Sequence, residues 1–342
     1  MNKKKILWGF ISIGIAILTI RIIAAESQEF SFRSMLHYLA GANKFWLIVS
    51  LFAMFGYIWF EGEAVVTIVR TLGYPKKLSE GTVYGAADVL FSAITPSASG
   101  GQPASAFFMV KDGISLAACT SSLLINLVMY TLATVTIGSI CLLFHLKLFF
   151  RLSLLSRILI GIGWVIMLGL SLLFYMLLRH AEILQRIADS LLRLLKRIHI
   201  IGNLEKKQKT LKAKMTEYQE CSDIITGHAK MLIRVYFLNL FQRISQIGVT
   251  FTVFMAMGKN LRQSIEGFIV QALTALGSNS IPIPGGMGGA DYLMLDGFKK
   301  ILNHDATTME MLCRGCSFYL CIITSAVIVL LGYLVRRKRT NG

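Results

Sequence analysis

Charge is what this sequence has least of: only 15% of its 342 residues are Asp, Glu, Lys or Arg, against about 25% in a soluble domain. With 55% hydrophobic residues and a mean hydropathy of +0.63, it has too little polar side chain to clothe a water-soluble fold, and an integral membrane protein is expected. Acids are scarcer than bases, 18 against 35, leaving a net charge of +17. That excess does not point to a nucleic-acid partner. The basic residues lie between apolar runs and at both ends, the placement that orients spans against an anionic cytoplasmic leaflet. A P-loop, a nucleotide-binding glycine loop and an H-E-x-x-H pair are all missing, which disfavours an ATP-driven pump and a membrane metalloprotease. Six cysteines lie mostly inside apolar runs, where thiols act as small hydrophobes. Cys313 and Cys316 form a C-x-x-C without a second pair or a histidine cluster. No zinc, other metal or cofactor is therefore expected.

Long apolar runs are what the chain does have. A crossing needs about 20 apolar residues, and six segments meet that measure: roughly 6–25, 45–69, 115–144, 154–178, 231–257 and 312–335. The first follows Lys3, Lys4 and Lys5 and resembles a signal sequence, but it has no convincing small-x-small cleavage site, so a retained span is expected. Two further stretches are apolar but broken. Residues 82–110 are interrupted by Thr95-Pro96-Ser97-Ala98-Ser99-Gly100-Gly101-Gln102-Pro103, and 264–300 by Ile281-Pro282-Ile283-Pro284-Gly285-Gly286-Met287-Gly288-Gly289. Their arms are too short for two confident crossings, so each reads as a re-entrant hairpin whose turn faces protein or a wet cavity.

The expected fold is an all-α polytopic bundle, one domain over 1–342, with six full spans and two re-entrant hairpins. Eight crossings are the main variant. Six crossings put Arg70, Lys76, Lys77, the cluster from Arg179 to Lys230 and Arg336–Arg339 on one side, with both termini in the cytoplasm. The hairpins then enter from opposite faces, as an inverted pseudo-repeat would place them around a midplane site. Residues 179–230 read as a basic amphipathic insertion, either lying on the cytoplasmic membrane surface or forming a solvated helical hairpin.

Several residues carry chemistry beyond the turn itself. Gly100 and Gly101 free backbone N–H groups where a half-helix starts at Gln102, a place that suits an anion such as a lipid phosphate. Ser97, Ser99 and Gln102 add polar contacts. Asp291 falls in the first turn after the second break, where capping already favours an acid by about 0.3–1 kcal/mol. Arg243 is the sharper case, because a central arginine costs about 2.5–3.5 kcal/mol in a span. Asn239, Gln242 and Gln246 share its side of the helix, so the region is either a polar cavity face or a buried structural ion pair. Arg314 and Asp88 are further partners or headgroup contacts. Arg314 otherwise snorkels to the outer interface, and Glu61 and Glu63 are expected near an interface as well.

The stretches Thr95–Pro103 and Pro284–Asp291, followed by Arg314, resemble the paired signatures of the membrane-domain family of lysylphosphatidylglycerol synthases and flippases, the multiple peptide resistance factors. The likeness runs over essentially the whole chain. It implies a cell-membrane protein of bacteria that moves an aminoacylated phospholipid between leaflets. The headgroup site would draw on Thr95, Ser97, Ser99, Gly100, Gly101, Gln102, Gly285, Gly286, Asp291, Asp88, Asn239, Gln242, Arg243 and Arg314. Bifunctional members of the resembling family carry a cytosolic lysyltransferase domain that this sequence lacks, so the chain is not expected to be an enzyme by itself. The second motif often ends in Glu, and Asp291 is one methylene shorter, which bears on the substrate. Membrane phospholipid is the expected partner, anionic or aminoacylated phosphatidylglycerol, with a separate aminoacyl-lipid synthase and a homo-oligomer left open. The competing readings are a secondary transporter of a small solute and a membrane partner module for such a synthase.

Overall fold

The computed structural model describes residues 38, 40–95, 98–197, 204–279, 288–302 and 305–341. Among them all regular structure is helical: α1 Lys44–Thr71, α2 Leu78–Ile94, α3 Gly101–Lys111, α4 Leu116–Phe144, α5 Leu146–Arg151, α6 Leu154–Arg179, α7 Ala181–Arg197, α8 Leu204–Gly227, α9 Ala229–Ala256, α10 Leu261–Ser278, α11 Gly289–Ile301, α12 Ala306–Arg314, a π-turn Gly315–Tyr319, and α13 Leu320–Asn341. The expected first span, 6–25, lies outside the described residues. Helix starts are set by local chemistry. Asn43, Ser115, Ser153 and Asn260 each accept a backbone N–H from the first turn, which satisfies a donor the helix itself cannot.

Four stretches are long and apolar enough to cross a bilayer: Lys44–Thr71, Leu116–Phe144, Leu154–Arg179 and Ala306–Arg337. Helix α9 is as long, 28 residues, but its charged and amide side chains make it less apolar. It is the central helix nonetheless, packed along α1 and also against α4 and α10. Helix α6 lies outermost, with Leu154, Val165 and Leu172 more than half exposed, as suits a lipid-facing wall.

The broken stretches fold back as hairpins. Helix α3 has 11 residues and α11 has 13, about 16 and 20 Å at 1.5 Å per residue, short of a hydrocarbon core of about 30 Å. Each lies along its own first arm, α3 on α2 and α11 on α10. At the mouth of the first hairpin, Lys76 donates to the Asp112 carbonyl; at the mouth of the second, Lys259 pairs with Asp305. Both arms of each hairpin therefore end on one side. The full-length helix α4 starts beside the first mouth and ends near the second hairpin's side, so the two enter from opposite ends of the bundle.

The central insertion is more firmly docked than a surface helix. Tyr218 of α8 donates its hydroxyl to the Leu177 carbonyl at 2.9 Å, and Ser222 to Leu178 at 2.6 Å. Tyr218 and Ile225 are buried with Leu178, Ile68 and Val235, which ties the second half of α8 to the ends of α6, α1 and α9.

Helices α1 and α2 touch backbone to backbone. A Cβ on Gly62 would stand 2.1 Å from the Gly81 carbonyl oxygen, and one on Gly85 2.6 Å from that of Ile58. Small residues at this spacing are the usual device for close helix approach in lipid. We expect Gly62→Leu to lower thermal stability in detergent by about 1–3 kcal/mol, the range for overpacking. Gly161→Ala, where nothing stands within 4 Å, should cost nothing, and equal melting of the two variants would refute the contact.

The last helix is pinned to the first hairpin outside the apolar region. Arg336 makes a bidentate pair with Asp112, Nε to Oδ1 at 2.8 Å and Nη2 to Oδ2 at 2.6 Å, and Tyr84 donates to Oδ2 at 2.6 Å. Burial pushes the Asp112 carboxyl up, but the hydrogen bonds from Arg336 and Tyr84 outweigh it and hold the group below the ordinary carboxylate range. A depressed folded-state value contributes stability above the unfolded value of about 3.9, and that contribution is lost as pH falls through the folded value. Asp112→Asn should therefore melt earlier than the parent at neutral pH, and the gap should narrow on acidification. A gap independent of pH would contradict the assignment.

Candidate functional site

The arms of the two hairpins face each other inside the bundle. Between them lies a cleft of about 170 Å³, lined from the first hairpin by Ser92 and Ala98, from the second by Ser278, Asn279 and Ala290, and otherwise by Tyr57, Tyr130, Arg243, Gln246, Gln271, Arg314 and Phe318, among others.

Arg243 stands at the centre of this region and is only 2% exposed. Its guanidinium is flanked by the rings of Tyr130 and Tyr57, at 4.3 and 5.0 Å from their centroids. It donates Nη1–H to the Tyr130 hydroxyl at 3.2 Å and Nε–H to Gln242 Oε1 at 3.3 Å. Gln242 passes the contact on, donating Nε2–H to Glu61 Oε2 at 2.6 Å. Asn126 donates to Glu61 Oε1 at 2.7 Å, and Asn239 donates to Asn126 Oδ1 at 2.9 Å. A line of amide dipoles thus joins a buried cation on α9 to a buried carboxylate on α1. Aromatic faces and a distant countercharge make the arginine tolerable at this depth, yet its Nη2 has no hydrogen-bond partner.

Arg314 repeats the pattern from another helix. Although 9% exposed, it is paired through Nε with Asp291 Oδ1 at 2.5 Å and lies 5.0 Å from the Phe318 ring centroid, while its Nη2 also has no hydrogen-bond partner. The π-turn Gly315–Tyr319 follows immediately and carries Phe318 into the cleft wall. Such turns are often found at functional sites. Nothing in the residue spacing announced it.

Of the residues singled out from the sequence, the cleft gathers Arg243 and Arg314, with Gln242 and Asn239 directly behind Arg243. The others are placed differently. Thr95 is spent on the turn, donating to the Phe91 carbonyl at 2.6 Å and accepting from the Gly100 N–H at 2.8 Å, while Ser99 is exposed. Gln102 donates to Asp88 Oδ1 at 3.4 Å, and a Cβ on Gly101 would stand 2.3 Å from that same oxygen. The start of α3 therefore already has a carboxylate beside it. At the start of α11, Asp291 Oδ2 likewise accepts the Gly288 N–H at 2.8 Å. Ser97, Gly285 and Gly286 lie outside the described residues.

Two expectations are corrected. Glu61 and Glu63 are not surface acids: Glu61 is 3% exposed within the network above, and Glu63, 6% exposed, pairs with Arg234 at 2.9 Å. An acid this far inside a span signals a partner, and that signal was available for Glu61, which lies ten residues from the end of α1. Arg314 does not snorkel outward but is held in a buried ion pair. Tyr57, Tyr130 and Asn126 were missed because in apolar runs they look like ordinary span residues. All six cysteines are free, and among the described residues no group of three or more His, Cys, Asp or Glu is arranged to hold a metal ion.

Fold and cleft together define a polytopic helical membrane protein in which two interrupted-helix hairpins enclose a charged pocket. The chain belongs to the lysylphosphatidylglycerol synthase TM region family, whose model matches residues 9–325 of its 342. No curated protein matches it. Family and fold agree on a multi-pass, lipid-related membrane protein.

Removing the Glu61 carboxylate would strand the buried amide donors of Asn126 and Gln242 and leave Arg243 without its countercharge. Each stranded donor costs about 1–3 kcal/mol. Glu61→Ala should therefore lower stability in detergent by about 2–4 kcal/mol, whereas Glu63→Ala, whose partner Arg234 is largely exposed, should cost under about 1 kcal/mol. Thermal unfolding of the two variants checks the ranking.

Proposed function

We propose that this protein moves an anionic or aminoacylated phospholipid, phosphatidylglycerol or its lysyl ester, between the leaflets of a bacterial plasma membrane. The observation that carries the reading is that two buried arginines on different helices, Arg243 and Arg314, each leave an Nη2 without a hydrogen-bond partner at one cleft. Two guanidinium groups lining one cleft suit a phosphate, which takes charge-assisted hydrogen bonds on several oxygens. Size favours a headgroup over a whole ligand. A volume of about 170 Å³ equals the liquid share of about six waters, enough for a phosphoglycerol but not for acyl chains, and it is below the 300–1,000 Å³ typical of sites that enclose a small molecule. The chains would stay in the bilayer while the headgroup passes between the hairpins.

In this reading both termini and the α7–α8 insertion face the cytoplasm, following the basic residues of that side. Asp291, already neutralised by Arg314, and Asp88, in the first hairpin, are the acids placed to meet an aminoacyl amine. Export of a lysyl lipid would make the outer leaflet less negative and weaken its attraction for cationic peptides.

The test is transbilayer movement of a fluorescent short-chain phosphatidylglycerol, and of its lysyl ester, in proteoliposomes. Arg243→Ala, reconstituted in equal amount, should slow movement by about tenfold or more, the equivalent of one lost charge-assisted hydrogen bond. An unchanged rate would sink the reading, and so would protein-dependent uptake of a soluble solute where lipid movement is absent.

A further inference from the structure

The charge balance of the cleft allows one step beyond lipid movement, resting on the anion site just described. The charged groups at the cleft are the buried Arg243, Arg314 and Glu61, with the partly buried Asp88 and Asp291 and Glu310, 4.0 Å from Arg314. Asp291 is taken by Arg314. Arg243 therefore answers to Glu61, through Gln242, and to Asp88 on α2, which is the electrostatic neighbour of both. The last two acids are brought near each other by the close packing of α1 and α2. A Cβ on Gly85 would stand 3.2 Å from Glu61 Cβ, and Asp88 is three residues further along the same helix. From α4 the region receives Asn126 and Tyr130, from α1 Tyr57, and from α13 the free thiol of Cys321. Apart from Arg243, none of these supplies positive charge. A phosphate docking on Arg243 and Arg314, which these acids already match, would add a negative charge that no further cation among the described lining residues offsets. A buried carboxylate in that position takes a proton rather than stay charged and uncompensated.

The hydrogen bonds around Glu61 fit two protonation states. As they stand, both carboxylate oxygens accept amide N–H groups, which is the pattern of the ionised acid. Asn239 Oδ1, at the far end of the same line, is buried with no hydrogen-bond partner. If Asn126 and Asn239 both turn their amides over, Asn126 Oδ1 accepts from a protonated Glu61 and Asn126 Nδ2 donates to Asn239 Oδ1. The orphaned acceptor then gains a donor, in exchange for the hydrogen bond that Asn239 Nδ2 now gives the Val235 carbonyl at 3.0 Å. Gln242 stays fixed, because Arg243 holds its oxygen.

We propose that the cleft loads an anionic headgroup together with a proton, that Glu61 receives the proton, and that a proton gradient therefore drives the lipid's movement. The proton comes from water on the side where the headgroup enters, converts the Glu61 carboxylate to the acid, and leaves with the headgroup on the other side. No bond in the lipid changes.

The full chain, in detergent and lightly buffered solution, is titrated with dihexanoyl-phosphatidylglycerol while the bound lipid and the pH are both recorded. The expected result is uptake of about one proton per lipid bound at neutral pH, together with an infrared carboxylic-acid band that appears with the lipid and is missing in Glu61→Gln. Binding without proton uptake would overturn the coupling and leave the anion site standing. Failure of the lipid to bind would overturn both. Full proton uptake by Glu61→Gln would overturn the assignment to Glu61. The parent stoichiometry decides the coupling by itself, whether or not the variant folds.

Discussion

A guanidinium held away from both water and lipid sets the terms for this bundle. Arg243 sits in the middle of a 28-residue helix, where solvation by lipid is impossible and desolvation is costly. The surrounding helices are arranged to answer that cost. Helix α4 brings Tyr130 and Asn126, α1 brings Tyr57 and Glu61, and α9 supplies its own Gln242. The central position of α9, packed on α1, α4 and α10, follows from needing all these partners at once. Residual charge and an unpartnered donor remain beside the cleft between the hairpins.

The hairpins are the second half of the same solution. A helix interrupted within an apolar stretch needs protein or water to satisfy the backbone at the break. Here the start of each short arm lies beside a carboxylate of the chain itself, Asp88 at Gly101 and Asp291 at Gly288. The Nη2 groups of Arg243 and Arg314 are left without a hydrogen-bond partner beside the cleft. Half-helix dipoles that would attract an outside anion are answered internally.

Much of the architecture was legible in the residues because apolar runs and proline-glycine breaks report directly on crossings and turns. The runs at 45–69, 115–144 and 154–178 correspond to α1, α4 and α6, and the breaks around Gly100 and Gly288 fall between the arms of the hairpins. The three- and four-residue spacing of Asn239, Gln242 and Arg243 correctly put them on one side of α9. Spacing reads a face, however, and not what lies across from it. The partners of that face, Glu61 and Asn126, sit 181 and 113 residues away from Gln242 and Asn239, and no local pattern links them. The docking of α8 was illegible for the same reason, since it rests on Tyr218 and Ser222 reaching carbonyls of α6.

The π-turn in the last helix has a consequence for how the chain tolerates length changes. A π-turn holds one residue more than an α-turn, so everything beyond Tyr319 is rotated by about 100° relative to a continuous α-helix. Arg314 on one side of it reaches Asp291, and Arg336 on the other reaches Asp112 on the first hairpin. The extra residue sets the phase that lets one rod-like segment hold both hairpins at once. Loss of a single residue between those arginines would spare each half of the helix and still leave one of the two hairpins unheld.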